Sequence, residues 1–579
     1  MLSLMRYANK YKKQLILGPF FKLLEAVLEL FLPLYMAKLI DQGIRQQNSE
    51  YAIKMGVYML IMSIIGLICV MICQYYSSIA SQGFGTELRN AVMKKINQFS
   101  HQEIDHFGSS TLITRATSDI NQLQLALAML IRLVIRAPFL SIGSIIMAFY
   151  IDVQMGVIFL LTIPIFSIIL FFIMKKTVPL YKKVQQKIDR LNATISGNLS
   201  GVRVIRAFSK KEKEIKHFGE VSDDLAIAYK NVTNLSALLS PSTIFIMNLA
   251  IIAILYFGGI NVNLGHLQAG QVLALINYMT QMLLALVVVS NLVVIFTRAF
   301  ASAERVNEIL EISPQIETSN EDIITTSWNK KKLLVFDDVS FKYTENSGYV
   351  LKNLTFSLDK NQTLGIIGPT GSGKSTLIQL IPYFYPPTKG CISVNEKEVT
   401  TYKTGDLREH IAIVPQKSAL FSGTIRSNLL IGKPDATDAE CFEALKWAQC
   451  LDFVESLPEK LDAQVFAQGQ NFSGGQKQRL SIARALIRKP DLLIMDDCLS
   501  ALDYQTDFLI RQALKKHFNE STIIIISQRV SSVKEADALL VLDEGKQVGF
   551  GTHDSLSKQS VIYQQIVQSQ SEKEEIKHA

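Results

Sequence analysis

The stretch TLGIIGPTGSGKST, residues 363–376, determines the fold of the second half of this 579-residue chain. It begins with an apolar run of strand length, and the residues after Gly373 favour a helix. The glycine-rich loop between them lets backbone N–H groups turn inward around phosphate oxygens, while the helix N-terminus adds positive potential. The order of strand, loop and helix therefore predicts a nucleotide-binding α/β domain of the P-loop NTPase class.

The residue types within this loop predict distinct roles toward ATP and Mg²⁺. Lys374 is expected to reach the β- and γ-phosphates, and the Ser375 hydroxyl is expected to ligate Mg²⁺. Upstream, the ring of Tyr343 is placed to stack on adenine, although an aromatic residue there is more often a strand-edge residue. The residues predicted to surround the phosphates are Gly368, Thr370, Gly371, Ser372, Gly373, Lys374, Ser375 and Thr376.

Two further stretches downstream carry residues for phosphate chemistry. In LLIMDDCLSALD, residues 492–503, an apolar run leads to Asp496, which is expected to hold the metal ion directly or through water, and then to Asp497. In NFSGGQKQRLSIARAL, residues 471–486, Ser473 with Gly474 and Gly475 opens a helix. Since a Ser-Gly-Gly at a helix N-terminus is an anion cradle, this stretch predicts a second phosphate contact.

The first half of the chain has the composition of a membrane domain. Hydrophobic residues make up 49% of the protein, mean hydropathy is +0.22, and residues 231–297 contain no Asp, Glu, Lys or Arg. That charge-free run can hold two spans of about 20 residues each. Six spans are predicted, at residues 14–38, 53–76, 127–150, 153–175, 235–260 and 271–297. The predicted organisation is a six-helix transmembrane domain (1–310), a linker (311–332), a cytosolic α/β domain (333–570) and a charged tail (571–579).

The distribution of basic residues sets the orientation. They cluster at the N-terminus and after the second and fourth spans: Arg6, Lys10, Lys12, Lys13, Arg89, Lys94, Lys95, Lys175, Lys176, Lys182 and Lys183. By the positive-inside rule, the N-terminus and the α/β domain both face the cytoplasm, and no cleavable signal peptide is evident. These lysines also account for the net charge of +8, so no nucleic-acid partner is expected. The six cysteines lack metal-binding spacing, which favours reduced thiols.

The two long inward loops are patterned as helices, so the spans are expected to continue well into the cytoplasm. Each loop needs a turn at its far end, for which residues 106–123 and 201–218 are the candidates. Short helices there are expected either to rest on the soluble domain or to form a solvated charged face.

The order of motifs in the second half resembles an ATP-binding cassette: GPTGSGKST, VPQ with Gln416, FSGGQ, LLIMDD, SALD and IISQR. With six preceding spans, residues 1–570 resemble a half-transporter of the ABC exporter family. The resemblance implies that two cassettes face each other head to tail, so that Lys374 of one chain and Ser473 of its partner enclose one ATP. It also implies that Gln476 belongs to the signature, that Gln416 touches Mg²⁺ and senses the membrane helices, and that Asp503 communicates across the dimer.

Three positions depart from the family pattern. Asp497 stands where the catalytic Glu is expected, Gln528 stands where a His contacts the γ-phosphate, and Ala467 replaces an acidic residue before the signature. Shortening Glu to Asp withdraws the carboxylate by about 1.5 Å, and such a misplacement can cost about 100-fold in rate. Gln528 can donate a hydrogen bond but cannot become cationic. The binding groups are intact while the hydrolytic groups are altered, as in the degenerate site of heterodimeric ABC exporters.

The predicted function is ATP-driven export of hydrophobic or amphipathic compounds across the cytoplasmic membrane. The chain is expected to pair with a second half-transporter that carries the catalytic Glu and the His, while its own site binds ATP and hydrolyses it slowly. Two alternatives are a homodimeric lipid or drug flippase and an ATP-gated channel or regulatory membrane subunit.

The first span also carries charges, and they leave two interpretations open. Lys22, Glu25 and Glu29 form one stripe, which is either a polar wall for amphipathic drugs, including cationic ones, or a set of side chains in an interhelical ion pair or snorkelling to the interface. Arg132 and Arg136 are expected to anchor the third span at the membrane interface.

Overall fold

The computed structural model describes residues 2–312, 328 and 330–578. Within the predicted linker 311–332, residues 313–327 and 329 lie outside the described part. The chain forms two compact units. The first takes the described residues through Asn97 and Ser109–Ile312, and the second takes Gln98–Gly108 with the described residues after Ile312. Each unit has its own apolar core.

Long helices build the first unit. A 3₁₀ helix, Leu2–Tyr11, precedes them. Short π-helical stretches interrupt them at Leu39–Ile44, Arg115–Asp119 and Leu130–Val134. The helices of the first half of the chain are α1 (Lys12–Lys38), α2 (Ser49–Ile96), α3 (His101–Phe107), α4 (Ser109–Thr114), α5 (Ile120–Met129), α6 (Arg136–Ile151), α7 (Val153–Ser200), α8 (Val202–Ala207), α9 (Lys211–Ser236), α10 (Leu239–Asn263) and α11 (Ala269–Glu311). Of these, α3 belongs to the second unit.

Five stretches in the described residues are helical, long and apolar enough to cross a membrane: Ser49–Ile96, Ser109–Ile151, Val153–Ser200, Lys211–Asn263 and Ala269–Val289. Helix α1 has the length for a sixth span, but six charged residues lie in it, three of them (Lys22, Glu25 and Glu29) near its middle, so six spans stay a prediction. At 1.5 Å per residue, the 48 residues of α7 extend about 72 Å, more than twice the hydrocarbon thickness of a bilayer. The predicted continuation of spans as long helices is confirmed.

The first predicted turn overlaps the observed reversal only at residues 106–108, and the second predicted turn is confirmed. After α2, the chain reverses within residues 97–108, where Gly108 adopts φ 73°, and helix then runs from Ser109 to Ile151. Most of the range 106–123 is therefore helical, because no residue after Gly108 in this range ends the helix. In the second loop, α7 ends at Gly201 and α9 begins at Lys211, inside the predicted range 201–218.

The charged residues of the first span form an ion-pair network. Lys22 pairs with Glu25, and Arg136 lies 2.7 Å from Glu29 and 3.7 Å from Glu25. The second interpretation of the charged stripe therefore holds for these side chains. Arg136 binds these carboxylates and Arg132 donates to the hydroxyls of two serines of α2, while the anchoring role predicted for both at the membrane interface stays a prediction.

A ten-stranded sheet organises the second unit. Its strands and the separate pair β7–β8 are β1 (Lys332–Phe341), β2 (Leu351–Asp359), β3 (Thr363–Ile367), β4 (Lys389–Val394), β5 (Lys397–Glu398), β6 (Ile411–Val414), β7 (Gly423–Thr424), β8 (Gln464–Val465), β9 (Leu492–Asp496), β10 (Thr522–Ile526), β11 (Ala538–Asp543) and β12 (Lys546–Gly551). The sheet order is β5-β4-β1-β2-β12-β11-β3-β10-β9-β6.

The helices of this unit cover the sheet. They are α12 (Lys374–Leu380), α13 (Thr404–Glu409), α14 (Ile425–Leu429), α15 (Asp438–Trp447), α16 (Leu451–Glu455), α17 (Gly474–Leu486), α18 (Tyr504–His517), α19 (Val530–Val533), α20 (His553–Gln559) and α21 (Val561–His578). Short 3₁₀ turns lie at Val399–Thr401, Lys460–Asp462 and Ala467–Gly469. Helix α21 continues through residues 571–578 of the predicted tail.

The central strands are parallel and buried on both faces. All five residues of β10, TIIII, are buried, as are those of β9. Continuous apolar strands of this kind are typical of a parallel sheet packed between two layers. Because β3, β10, β9 and β6 are parallel neighbours, the loops that follow them emerge at one edge. The functional residues lie at that edge.

Helix α3 packs within the second unit. The imidazole of His101 stacks on Phe384, with ring centroids 4.2 Å apart, and the Tyr385 hydroxyl donates to a carboxylate oxygen of Asp105. Burial lowers the pKa of His101, with the nearby Arg408 guanidinium acting in the same direction. This short segment of the membrane half is therefore structurally part of the soluble unit.

Candidate nucleotide-binding site

The phosphate loop joins β3 to α12 and has the backbone geometry of an anion cradle. Gly371 and Gly373 adopt φ values of 86° and 95°, a left-handed conformation that glycine tolerates without steric cost. At Gly368 a Cβ atom would lie 2.1 Å from the carbonyl oxygen of Leu542, so only glycine fits against β11. Glycines therefore stand at the positions of the loop where the backbone needs positive φ or packs closely against β11.

The Lys374 ammonium is held inside this loop. Its Nζ donates to the carbonyl oxygens of Gly368 at 2.8 Å and Pro369 at 2.7 Å, and the residue is only 8% exposed. Burial lowers the pKa of Lys374, while the carboxylates of Asp497 and Asp496 act in the opposite direction. The Lys374 side chain is therefore oriented by main-chain carbonyls at the centre of the loop.

Two of the three residues predicted to contact the metal, Ser375 and Asp496, lie side by side, and the third, Gln416, reaches the neighbouring Asp497. The Ser375 hydroxyl donates to Asp496 Oδ1 at 3.0 Å. Burial raises the pKa of the Asp496 carboxyl, and the neighbouring Asp497 adds to that effect, whereas the hydrogen bond from Ser375 opposes it. A hydroxyl beside a carboxylate is the oxygen donor set that Mg²⁺ prefers together with phosphate oxygens. Within the described residues, no group of three or more His, Cys, Asp or Glu side chains could hold a metal by itself.

Asp497 is the point where three predicted residues converge. Its Oδ2 accepts from Gln416 Nε2 at 3.3 Å and from Gln528 Nε2 at 3.4 Å. Its Oδ1 is buried and has no hydrogen-bond partner among the described residues. The backbone of Asp497 is left-handed, with φ 44°, a conformation that Asp tolerates better than most residues. The carboxylate is therefore held between two amides, with one oxygen left for a further donor.

Tyr343 lies beside the phosphate loop, after β1. Its hydroxyl lies 2.9 Å from the Thr376 hydroxyl, and its ring meets those of Phe341 and Tyr385 edge to face. These contacts fix the orientation of the ring next to α12. Stacking on adenine stays a prediction.

The signature residues form the start of α17. Ser473 caps this helix: its Oγ accepts from the Gln476 backbone N–H, and the Gln476 side chain accepts from the Ser473 N–H at 2.8 Å. Ser473 and Gly474 are exposed. Asp503 caps α18 in a similar way by accepting from Thr506, and these hydrogen bonds lower the pKa of its carboxyl. Both caps are exposed, so a second chain could approach them, and neither contacts this chain's own phosphate loop.

Sequence reasoning missed Gln570, which fastens the turn that carries Gln528. Its Nε2 donates to the Gln528 carbonyl at 2.7 Å, and its Oε1 accepts from the Val530 N–H at 2.8 Å. Gln570 lies on α21, 42 residues downstream, in a stretch without motif or periodic signal. Only the packing of α21 near α19 brings it to the site.

The residues present fit ATP and Mg²⁺. The loop is a cradle that larger residues would fill, Lys374 supplies the cation, and Ser375 with Asp496 supplies oxygen ligands. Bound Mg²⁺-ATP would supply the phosphate charge and the phosphoryl bond whose cleavage drives movement. The structure brings together the predicted residues of the phosphate loop, Gln416, Asp496, Asp497 and Gln528, whereas the signature residues stand apart from them.

Comparisons with known proteins agree with this architecture. The family model described as ABC transporter transmembrane region matches residues 15–286, and the one described as ABC transporter matches residues 351–500. An uncharacterized ABC transporter ATP-binding protein of Bacillus subtilis, YfiB, is 37% identical over 548 residues, covering 95% of each chain. Another from Mycobacterium tuberculosis, MT1311, is 33% identical over 575 residues, covering 99% of this chain and 98% of the other.

A solved structure shows the same fold. The structure of a bacterial Atm1-family ABC exporter with ATP bound aligns with a TM-score of 0.82 at 22% sequence identity. The alignment covers 96% of this chain and 99% of that one, so membrane unit and cassette are matched together.

Proposed function

Because this chain belongs to the ABC transporter family, as an exporter half-transporter with an ATP-hydrolysing cassette, we propose that it works in a heterodimer with its own ATP site slowed. The dimer exports hydrophobic or amphipathic compounds from the cytoplasmic side. The partner carries Glu and His at the positions of Asp497 and Gln528. The observation that carries this proposal is the environment of Asp497.

A general base must lie within hydrogen-bond reach of the water that it activates. The Asp497 side chain is one methylene shorter than Glu, and Gln416 and Gln528 both direct an amide N–H at its Oδ2. These two hydrogen bonds hold Oδ2 between the side-chain amides and fix the orientation of the shorter carboxylate. Gln528 also cannot place a positive charge near the γ-phosphate. Both features favour a site that holds ATP and turns it over slowly.

The binding groups of the same site are complete. Lys374 is oriented by two carbonyl oxygens, Ser375 lies next to Asp496, and the glycines of the loop have the required backbone angles. The contrast between intact binding groups and altered hydrolytic groups supports a retained, nucleotide-dependent role for this site in dimer formation.

The signature of this chain is complete and is oriented to serve the partner. Ser473 and Gly474 are exposed at the N-terminus of α17, where the helix dipole favours an anion. In a head-to-tail dimer these groups complete the phosphate site over the partner's loop. Most ATP hydrolysis therefore takes place in the partner's phosphate loop beneath Ser473.

The alternative of a homodimeric flippase shares every binding group named here and differs only in the rate at Asp497. Purified chain alone, reconstituted in lipid, is expected to hydrolyse ATP at a small fraction of the rate of the assembled pair. The same preparation should retain labelled ATP after rapid gel filtration. Robust turnover by this chain alone would contradict the heterodimer and favour the homodimer.

A further inference from the structure

A cavity of about 690 Å³ opens in the membrane unit between α7, the junction of α9 with α10, and α11. This volume falls in the usual range of small-molecule pockets. Apolar side chains of the three helices form one part of its wall. The remainder is polar or basic: Thr177, Tyr181, Lys182, Gln185, Ser236 and Arg298.

The cavity lies where each helix passes from an apolar to a charged sequence. In α7, residues 153–174 contain no charge, and Lys175 and Lys176 follow directly. In α11, Arg298 is the first charged residue after the charge-free run 231–297. Such transitions mark the boundary between hydrocarbon and headgroups. Since the cassette that follows α11 is cytosolic, this boundary belongs to the cytoplasmic leaflet.

Two hydroxyl groups of the cavity wall have no partner. Thr177 is 5% exposed, and neither its Oγ1 nor the Oγ of Ser236 has a hydrogen-bond partner among the described residues. Helical threonines ordinarily donate to the carbonyl four residues back, as Thr162 and Thr194 do in the same helix. A buried hydroxyl without a partner is unfavourable, so this arrangement suits a ligand that brings acceptors.

Neither of the two basic residues in the cavity wall is paired with a carboxylate among the described residues. Lys182 and Arg298 form no ion pair among the described residues, and the lining contains no acidic side chain. Further along α7, Lys187 and Arg190 are both paired with Asp224 of α9, at 2.5 and 3.9 Å. Lys187 and Arg190 therefore share a carboxylate, whereas Lys182 and Arg298, which line the cavity, have none among the described residues.

We propose that this cavity binds an anionic phospholipid of the cytoplasmic leaflet. The headgroup phosphate lies against Lys182 and Arg298, the hydroxyls of Thr177 and Ser236 donate to its oxygens, and an acyl chain follows the apolar wall. Basic pockets between membrane helices on the cytoplasmic side are suited to anionic headgroups. The site goes beyond the proposed export function and does not depend on the rate at Asp497.

The test uses the assembled transporter, solubilised from nanodiscs that contain equal amounts of phosphatidylglycerol and phosphatidylcholine. Native mass spectrometry counts the lipids that stay bound. Phosphatidylglycerol is expected to be retained in preference, and each of Lys182→Gln and Arg298→Gln should reduce the preference about fivefold. Thr177→Val, which keeps the shape of the side chain, should reduce retention further while the protein stays folded and dimeric.

A matched control separates the cavity from general surface charge. Lys183→Gln and Lys230→Gln each remove one positive charge, as the two cavity variants do, but from neighbouring residues that do not line the cavity. They should leave the preference for phosphatidylglycerol unchanged. Equal loss in the control pair would overturn the proposal, as would equal retention of phosphatidylcholine. Displacement of phosphatidylglycerol by inorganic phosphate would assign the site to free anions and equally overturn the lipid assignment.

Discussion

The phosphate-loop side and the signature side of the cassette both place backbone N–H groups at a helix N-terminus, yet their surroundings differ. On the first side, Lys374 and Asp497 are almost fully buried among groups of their own chain. On the second side, Ser473 is exposed and bonded only within its own helix cap. One side is a nearly complete site and the other is half of a site.

Two of the three departures from the family pattern lie on the first side, and the third, Ala467, precedes the signature on the second side. Asp497 and Gln528 belong to the self-contained side, where under the proposed function they affect only the ATP bound by this chain. The exposed side, which we propose serves the partner, keeps the full Ser-Gly-Gly-Gln order. Substitutions on the two sides should therefore affect different ATP molecules.

Ser473→Ala should have the largest effect. It removes a donor to the phosphates at the partner's site, and loss of one such donor typically costs about 100-fold in rate. Steady-state ATPase activity of the assembled pair measures it. Thr437→Ala is the matched control, because Thr437 caps α15 with the same reciprocal geometry away from any nucleotide. An equal loss in both variants would show that cap stability, not phosphate binding, is responsible.

Lys374→Ala should come next and act on the other ATP. Loss of a charged hydrogen-bond donor to phosphate is expected to weaken binding at this chain's site roughly 10- to 100-fold. Photolabelling with an azido-ATP analogue, followed by separation of the two chains, reports occupancy of each site. Lys558→Ala, an exposed lysine on α20, should change nothing. Unchanged labelling of the Lys374 variant would contradict the phosphate-loop assignment.

Tyr343 should have a smaller effect on the same site. Tyr343→Ala removes the predicted adenine stacking and should weaken ATP binding about fivefold, at the lower end for base–aromatic stacking. Tyr343→Phe keeps the ring and loses only the hydrogen bond to Thr376, so its affinity should stay within about twofold. If the two variants are equally impaired, the hydroxyl and not the ring is what the site needs.

Asp497→Asn should have the smallest effect on turnover of the pair, less than about threefold, because the proposed function places most hydrolysis over the partner's loop. The corresponding Glu→Gln change in the partner should nearly abolish activity. Abolished turnover in the Asp497 variant together with a harmless Ser473→Ala would reverse the assignment of the two sides. Asp497 would then be a competent base.

Local sequence was enough to predict much of the fold and most of the site. A phosphate loop needs glycines at positive φ and a lysine at the start of a helix, and these are properties of consecutive residues. The same holds for the Ser473 cap and for the apolar runs of the membrane helices. The strands next to the phosphate loop are parallel, and the loops that follow parallel strands meet at one edge of the sheet.

Contacts between distant segments could not be predicted in this way. The sequence left two interpretations of Lys22, Glu25 and Glu29 open, and Arg136, more than 100 residues away, closed the network. The sequence placed the turn after α2 too far along the chain. No local sequence feature requires a helix that leaves the membrane to end at one particular residue. The sequence offered no sign that Gln570 fastens the turn of Gln528.

The sequence by itself determined the class of the protein, the positions of the residues predicted to bind nucleotide and the presence of Asp where Glu is expected at residue 497. Only the tertiary structure decided what surrounds that carboxylate, since Gln416 and Gln528 reach it from loops 81 and 31 residues away. It alone showed that Thr177, Lys182 and Arg298 share one cavity wall. The amino-acid order fixes which side chains stand at the end of a helix. The packing of elements that are distant in the sequence decides which of those side chains are left without a hydrogen-bonding or ionic partner.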